Sequence, residues 1–124
     1  MKICISSIGK TIDADVDQRF GRCQYLILVD TETMKVTALS NEATRSSGGA
    51  GIQAAQIVTK EKIDAVITGN IGPNAFQILQ AAGIKVFTGA TGTIKEALEH
   101  YKKGTLEETG LANVESHSGI GGRK

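Results

Sequence analysis

The chain has 124 residues, enough for one domain and too few for two. Fourteen basic against thirteen acidic side chains leave a formal charge of +1, which argues against a dedicated nucleic-acid binder. Two cysteines do not make a disulfide framework, and no apolar run approaches the ~20 residues of a membrane span. The opening residues are too short and polar for a secretion signal, so the expected location is the cytoplasm, with no membrane partner.

Only 4% of residues are aromatic, so the core must be built from Ile, Val, Leu and Ala. The fifteen glycines cluster rather than repeat, which marks working loops. Residues 2–7 (KICISS) alternate weakly and predict a first strand. Residues 8–24 are polar and irregular and predict a long loop. The apolar run 25–30 (YLILVD) predicts a buried strand, and the alternating 34–39 (MKVTAL) its half-exposed hairpin partner.

A glycine-rich loop, 40–51 (SNEATRSSGGAG), leads into a predicted helix over 52–61. Residues 63–68 (IDAVIT) predict a strand. Pro73 suits a first helical position, and that helix runs to about Ala82 with Gly83 behind it. A last strand is predicted over 84–88. Thr93 then opens a helix to about Lys103, with Glu96 completing a capping box. Residues 1–106 form the expected domain, and the Gly/Ser-rich residues 107–124 an expected flexible tail. The order β-β-β-α-β-α-β-α implies an α/β fold: a hairpin meander followed by right-handed parallel crossovers in a mixed five-stranded sheet, with helices on both faces.

Open sheets of this kind bind ligands at the carboxyl edge of their parallel strands. Three glycine loops, SSGGAG, GNIGPNA and TGATGT, are expected to converge there, each opening a helix. A helix start offers unbonded N–H groups and a positive dipole end, and glycine lets a ligand come close. The loop 17–23 (DQRFGRC) adds Arg19 and Arg22, whose planar forks suit large anions. Cys23 beside them is a candidate ligand for a soft metal, or alternatively an ordinary residue of a surface loop whose Phe20 tucks into the core. Cys4 and His100 read as structural, and Asp13, Asp15 and Asp17 as a solvated turn lacking the rest of a calcium loop. His117 in the tail is a second candidate metal ligand. No nucleophile constellation, paired-histidine spacing or phosphate-loop lysine is present, so an enzyme is not expected.

Three segments together, VDQRFGRCQYLILVD (16–30), GGAGIQAAQIV (48–58) and IDAVITGNIGPNAFQILQAAGIKVF (63–87), resemble the dinitrogenase iron–molybdenum cofactor biosynthesis family. The resemblance spans Lys2 to about Leu106 and implies a three-layer, ribonuclease-H-like fold with strand order 3-2-1-4-5, strand 2 antiparallel. It implies a non-catalytic carrier of an iron–sulfur(–molybdenum) cluster, bound transiently and passed between donor and acceptor proteins. Arg19, Arg22 and Arg45, with the helix starts after Gly49 and Gly72, are what would hold such an anion. The expected site comprises Arg19, Phe20, Gly21, Arg22, Cys23, Arg45, Gly48, Gly49, Gly51, Asn70, Gly72 and Asn74, and Cys23 and His117 are candidate iron ligands that the family motif does not fix. The competing reading is a sensor or enzyme for a small anion such as a nucleotide or phosphate ester. A nuclease is excluded at the site, since the first strand carries no carboxylate for Mg²⁺.

Overall fold

The computed structural model describes residues 1–41 and 49–110, and all structural statements concern these. Strands β1 (Lys2–Ser7), β2 (Tyr25–Asp30) and β3 (Val36–Ser40) come first. They are followed by α1 (Ala50–Lys60), β4 (Ala65–Ile67), α2 (Pro73–Ala81), β5 (Lys85–Phe87) and α3 (Ile94–Lys102). The sheet order is β3-β2-β1-β4-β5, as expected. β2 runs antiparallel to β1 and β3, whereas β1, β4 and β5 are mutually parallel.

Alternation along β1 and β2 sends side chains to two cores, because successive strand residues point to opposite faces. Cys4, Leu26, Val66 and Val86 pack under α1 (Ala54, Ala55, Val58) and α2 (Ala75, Phe76, Leu79). Ile3, Ile5, Ile27, Val29 and Ile67 pack under α3 (Ile94, Ala97, Leu98). α1 and α2 therefore share one face of the sheet and α3 covers the other, giving the expected three layers.

Several boundaries differ from expectation, each for a local reason. β3 begins two residues late because Met34 adopts a left-handed conformation (φ 61°) and its N–H closes the hairpin turn onto the Asp30 carbonyl at 2.7 Å. α1 begins two residues early, with Gly49 (φ 71°) at its N-cap, where a side chain would be strained. β4 and β5 keep only three residues each. The packed chain also continues past the expected domain end at Leu106. Glu108 bridges to Phe87, the Thr109 N–H donates to the Val86 carbonyl at 2.7 Å, and the Thr109 and Thr88 hydroxyls are 2.7 Å apart. Thr109 is buried, so residues 107–109 close the β5 edge rather than starting a tail. Among the described residues no helix is long and apolar enough to cross a membrane.

Candidate functional site

The long loop after β1 is shaped by bonds to both neighbouring β–α loops. Asp17 is pinned at the carboxyl end of β1: its N–H donates to the Ser6 carbonyl at 2.9 Å, and the Ser6 hydroxyl donates back to the Asp17 carbonyl at 2.7 Å. That hydroxyl also meets the Thr68 hydroxyl at 2.7 Å. The buried Asp17 carboxylate accepts the Arg19 backbone N–H at 2.9 Å and faces Arg19 Nε at 3.7 Å. Arg19 remains 69% exposed, so one edge of its guanidinium is tethered while the rest is presented outward. The chain then bridges to the β4–α2 loop: Asn70 N–H donates to the Gln18 carbonyl at 2.7 Å, and Phe20 N–H to the Asn70 carbonyl at 3.1 Å.

These bonds place the arginine loop beside the starts of α1 and α2. Between the three lies an open cavity of about 470 Å³. Its polar lining comes from Arg19, Arg22, Asn70 and Asn74 and from the glycines 21, 49, 51 and 72. Neither helix start carries a side-chain cap hydrogen bond, and neither has an acidic residue in its first turn. Both dipole ends thus face the cavity without a built-in counter-charge. No carboxylate lines it among the described residues. Phe20, Ile52, Ile71 and Pro73 supply apolar lining.

Chemically, the arrangement offers donors for an anion beside an apolar wall. A model of the dinitrogenase iron–molybdenum cofactor family matches residues 1–104. The chain belongs to that family. It is 28% identical over 112 residues to an uncharacterised protein of Methanocaldococcus jannaschii, covering 87% of this chain and 95% of the relative. The apo form of the orange protein of Desulfovibrio gigas superposes with a TM-score of 0.85 at 38% identity, covering 87% of this chain and 92% of that one. A NifB-like protein of Thermotoga superposes with a TM-score of 0.77 at 36% identity, covering 86% and 91%.

Of the expected site residues, Arg19, Phe20, Gly21, Arg22, Gly49, Gly51, Asn70, Gly72 and Asn74 line this cavity. Arg45, Gly48 and His117 lie outside the described residues. Cys23 requires correction. It is fully buried in the core beneath α1 and α2, and it is absent from the cavity lining. Its thiol donates to the Phe20 carbonyl at 3.1 Å and receives a long contact from Asn41 Nδ2 at 3.5 Å. Burial, reinforced by the nearby Asp17 carboxylate, pushes the Cys23 thiol up to about 12. A protonated thiol turned into the core is not placed as a metal ligand.

The third glycine loop is also corrected. TGATGT lies away from the cavity because α3 covers the opposite face of the sheet. Its N-terminal donors are already used. Ile94 and Lys95 N–H groups donate to the carbonyls of Ala14 and Ile12, at 2.9 Å each, and the Thr93–Glu96 capping box closes the rest. Sequence reasoning missed the apolar lining at Ile52, Ile71 and Pro73, although Ile71 and Pro73 flank residues it had chosen. It also missed Asp17 and Asn41 as supports; Asn41 gave no signal beyond being a polar residue at a strand end.

Proposed function

We propose that this member of the family is a non-catalytic binding protein, or carrier, for an iron–sulfur(–molybdenum) cluster or a related anionic metal cofactor. The observation that carries this reading is the cavity itself: two arginines and two helix starts without side-chain caps, with no carboxylate in the described lining. Each element favours negative charge, and together they provide several donors around a volume larger than a simple oxyanion needs. The apolar wall from Ile52, Ile71 and Pro73 suits the poorly hydrated sulfide surface of a cluster better than a phosphate group. Membership in the dinitrogenase iron–molybdenum cofactor family supports the same reading. Among the described residues no group of three or more His, Cys, Asp or Glu is placed to hold a metal ion, so the residues in hand fit a cargo gripped through its charge.

In this reading Arg19 and Arg22 clasp the anion at the rim, while the amides at the starts of α1 and α2 receive it from below. An open cavity suits release of the cargo to an acceptor protein. The test is anoxic incubation with an isolated iron–sulfur–molybdenum cluster followed by gel filtration. Iron, molybdenum and visible absorbance should co-elute with the native protein. The Arg19→Glu/Arg22→Glu variant should lose them while keeping its thermal midpoint within about 3 °C, since surface ion pairs contribute little to stability. Native protein that elutes colourless sinks the proposal.

A further inference from the structure

The arginine loop is held from inside by two buried side chains that do not line the cavity. Cys23 Sγ donates to the Phe20 carbonyl at 3.1 Å. Asn41, 2% exposed at the end of β3, sends its single Nδ2 group to the Cys23 carbonyl at 2.9 Å and to the Gly21 carbonyl at 3.3 Å. Three carbonyl oxygens of one short loop, those of Phe20, Gly21 and Cys23, are therefore bound by donors in the protein interior. This matters because a carbonyl oxygen carries partial negative charge, and an anion beside it is repelled. So short a loop has few ways to keep three such dipoles away from its ligand, and buried donors achieve it by drawing the oxygens inward.

We infer that Cys23 and Asn41 are positioning residues of the anion site: they bind the carbonyls of Phe20, Gly21 and Cys23 inward, so that these three dipoles do not oppose the anion met by the side chains of Arg19 and Arg22. This rests on the proposed anion-binding function. It assigns the cysteine of the RFGRC sequence a role as a hydrogen-bond donor. It also gives the end of β3 a direct mechanical link to the arginine loop. Asn41 precedes the segment that leads into α1, so the same side chain ties the arginine loop to the strand from which that segment departs.

The two roles open to Cys23 separate cleanly by substitution. Cys23→Ser keeps a donor, whereas Cys23→Ala removes it. A positioning thiol predicts that cluster affinity falls about fivefold or more in Cys23→Ala, the effect of one lost neutral hydrogen bond, and stays within about twofold of native in Cys23→Ser. Asn41→Asp, which replaces the donor by a carboxylate against two carbonyls, should weaken binding more than tenfold. A thiolate ligand predicts instead that Ser and Ala lose affinity alike. The probe is the isolated iron–sulfur–molybdenum cluster, followed by its visible absorbance.

Two further measurements separate loop anchoring from cluster affinity. Infrared S–H stretching of the native protein should show both thiols protonated before and after loading; loss of one band on loading overturns the inference. In the cargo-free protein, amide hydrogen exchange at residues 19–22 should quicken in Cys23→Ala and Asn41→Ala and return to native rates in Cys23→Ser. Unchanged exchange in both alanine variants overturns the positioning role even if the cluster binds. Native protein that binds no cluster, with exchange behaving as stated, removes the proposed function and leaves the loop-anchoring intact.

Discussion

Gly21 and Gly51 meet backbone to backbone. A Cβ built on Gly21 would lie 2.6 Å from the Gly51 nitrogen and 2.7 Å from its Cα. The arginine loop thus touches the first turn of α1 directly. The glycine here serves contact between two protein segments, where the sequence had suggested room for a ligand.

Gly21→Ala should accordingly push the loop away from α1. Because the colliding atoms are backbone, they cannot rotate aside, and a cost of about 1–3 kcal/mol is expected, as for an overpacked core. For a domain near this size, ~1 kcal/mol lowers the thermal midpoint by about 4 °C. A calorimetric or circular-dichroism melt checks the loss. An Ala variant as stable as native would mean the loop and helix are free to separate.

The α3 start offers a contrast with those of α1 and α2. Thr93 Oγ1 accepts the Glu96 N–H at 3.1 Å, and Glu96 Oε1 accepts the Thr93 N–H at 2.9 Å. Thr93→Ala should cost about 1 kcal/mol of stability and leave cluster binding unchanged, since α3 does not reach the cavity. Equal losses of binding and stability would place α3 in the site after all.

The same cap gives a pH dependence. The Thr93 N–H, then the Thr93 hydroxyl, hold the Glu96 carboxyl below its ordinary value of 4.5. A carboxyl depressed in the folded state stabilises fully above its unfolded pKa and loses that contribution as pH falls through the folded one. Native protein should therefore lose more stability than Glu96→Gln on acidification from about pH 4.5 downward, and the two curves should run parallel above it. Urea midpoints measured across that range decide the matter; parallel curves throughout would mean the cap carboxylate contributes nothing.

Neither thiol should react in the folded protein. Cys4 and Cys23 are both free and buried, with burial raising each thiol and holding Cys23 at about 12. The thiolate is the reactive form, so iodoacetamide at pH 8 should label them only after denaturant is added. Rapid labelling of one equivalent under native conditions would show that the loop opens to expose Cys23.

Much of this architecture was legible from the chain. The apolar run of β2, Pro73 at the start of α2, Gly83 behind it (φ 79°) and the Thr93–Glu96 box are local signals, and each stands where periodicity and capping chemistry put it. The strand order followed the family resemblance. The adjacency of Arg19, Gly21 and Arg22 along the chain was likewise enough to mark one loop of the site. The late start of β3 escaped because a left-handed Met34 has no sequence signature. The pairing of Glu108 and Thr109 with β5 escaped because strand-edge partners are chosen by space, not by period.

What the chain by itself determined is the inventory: which segments alternate, which helices are capped by their own side chains, and which loop carries the cations. Only the folded arrangement decided how that inventory is shared out. A glycine loop at a helix start looks the same in sequence whichever face of the sheet its helix covers. Burial of two separate cores put α1 and α2 together and α3 opposite, and so set two helix starts in the cavity and left the third elsewhere. Cys23 is decided in the same way. Whether a thiol next to an arginine faces the cavity or the core depends on the direction of a single Cα–Cβ bond, fixed by packing against residues far away in the chain.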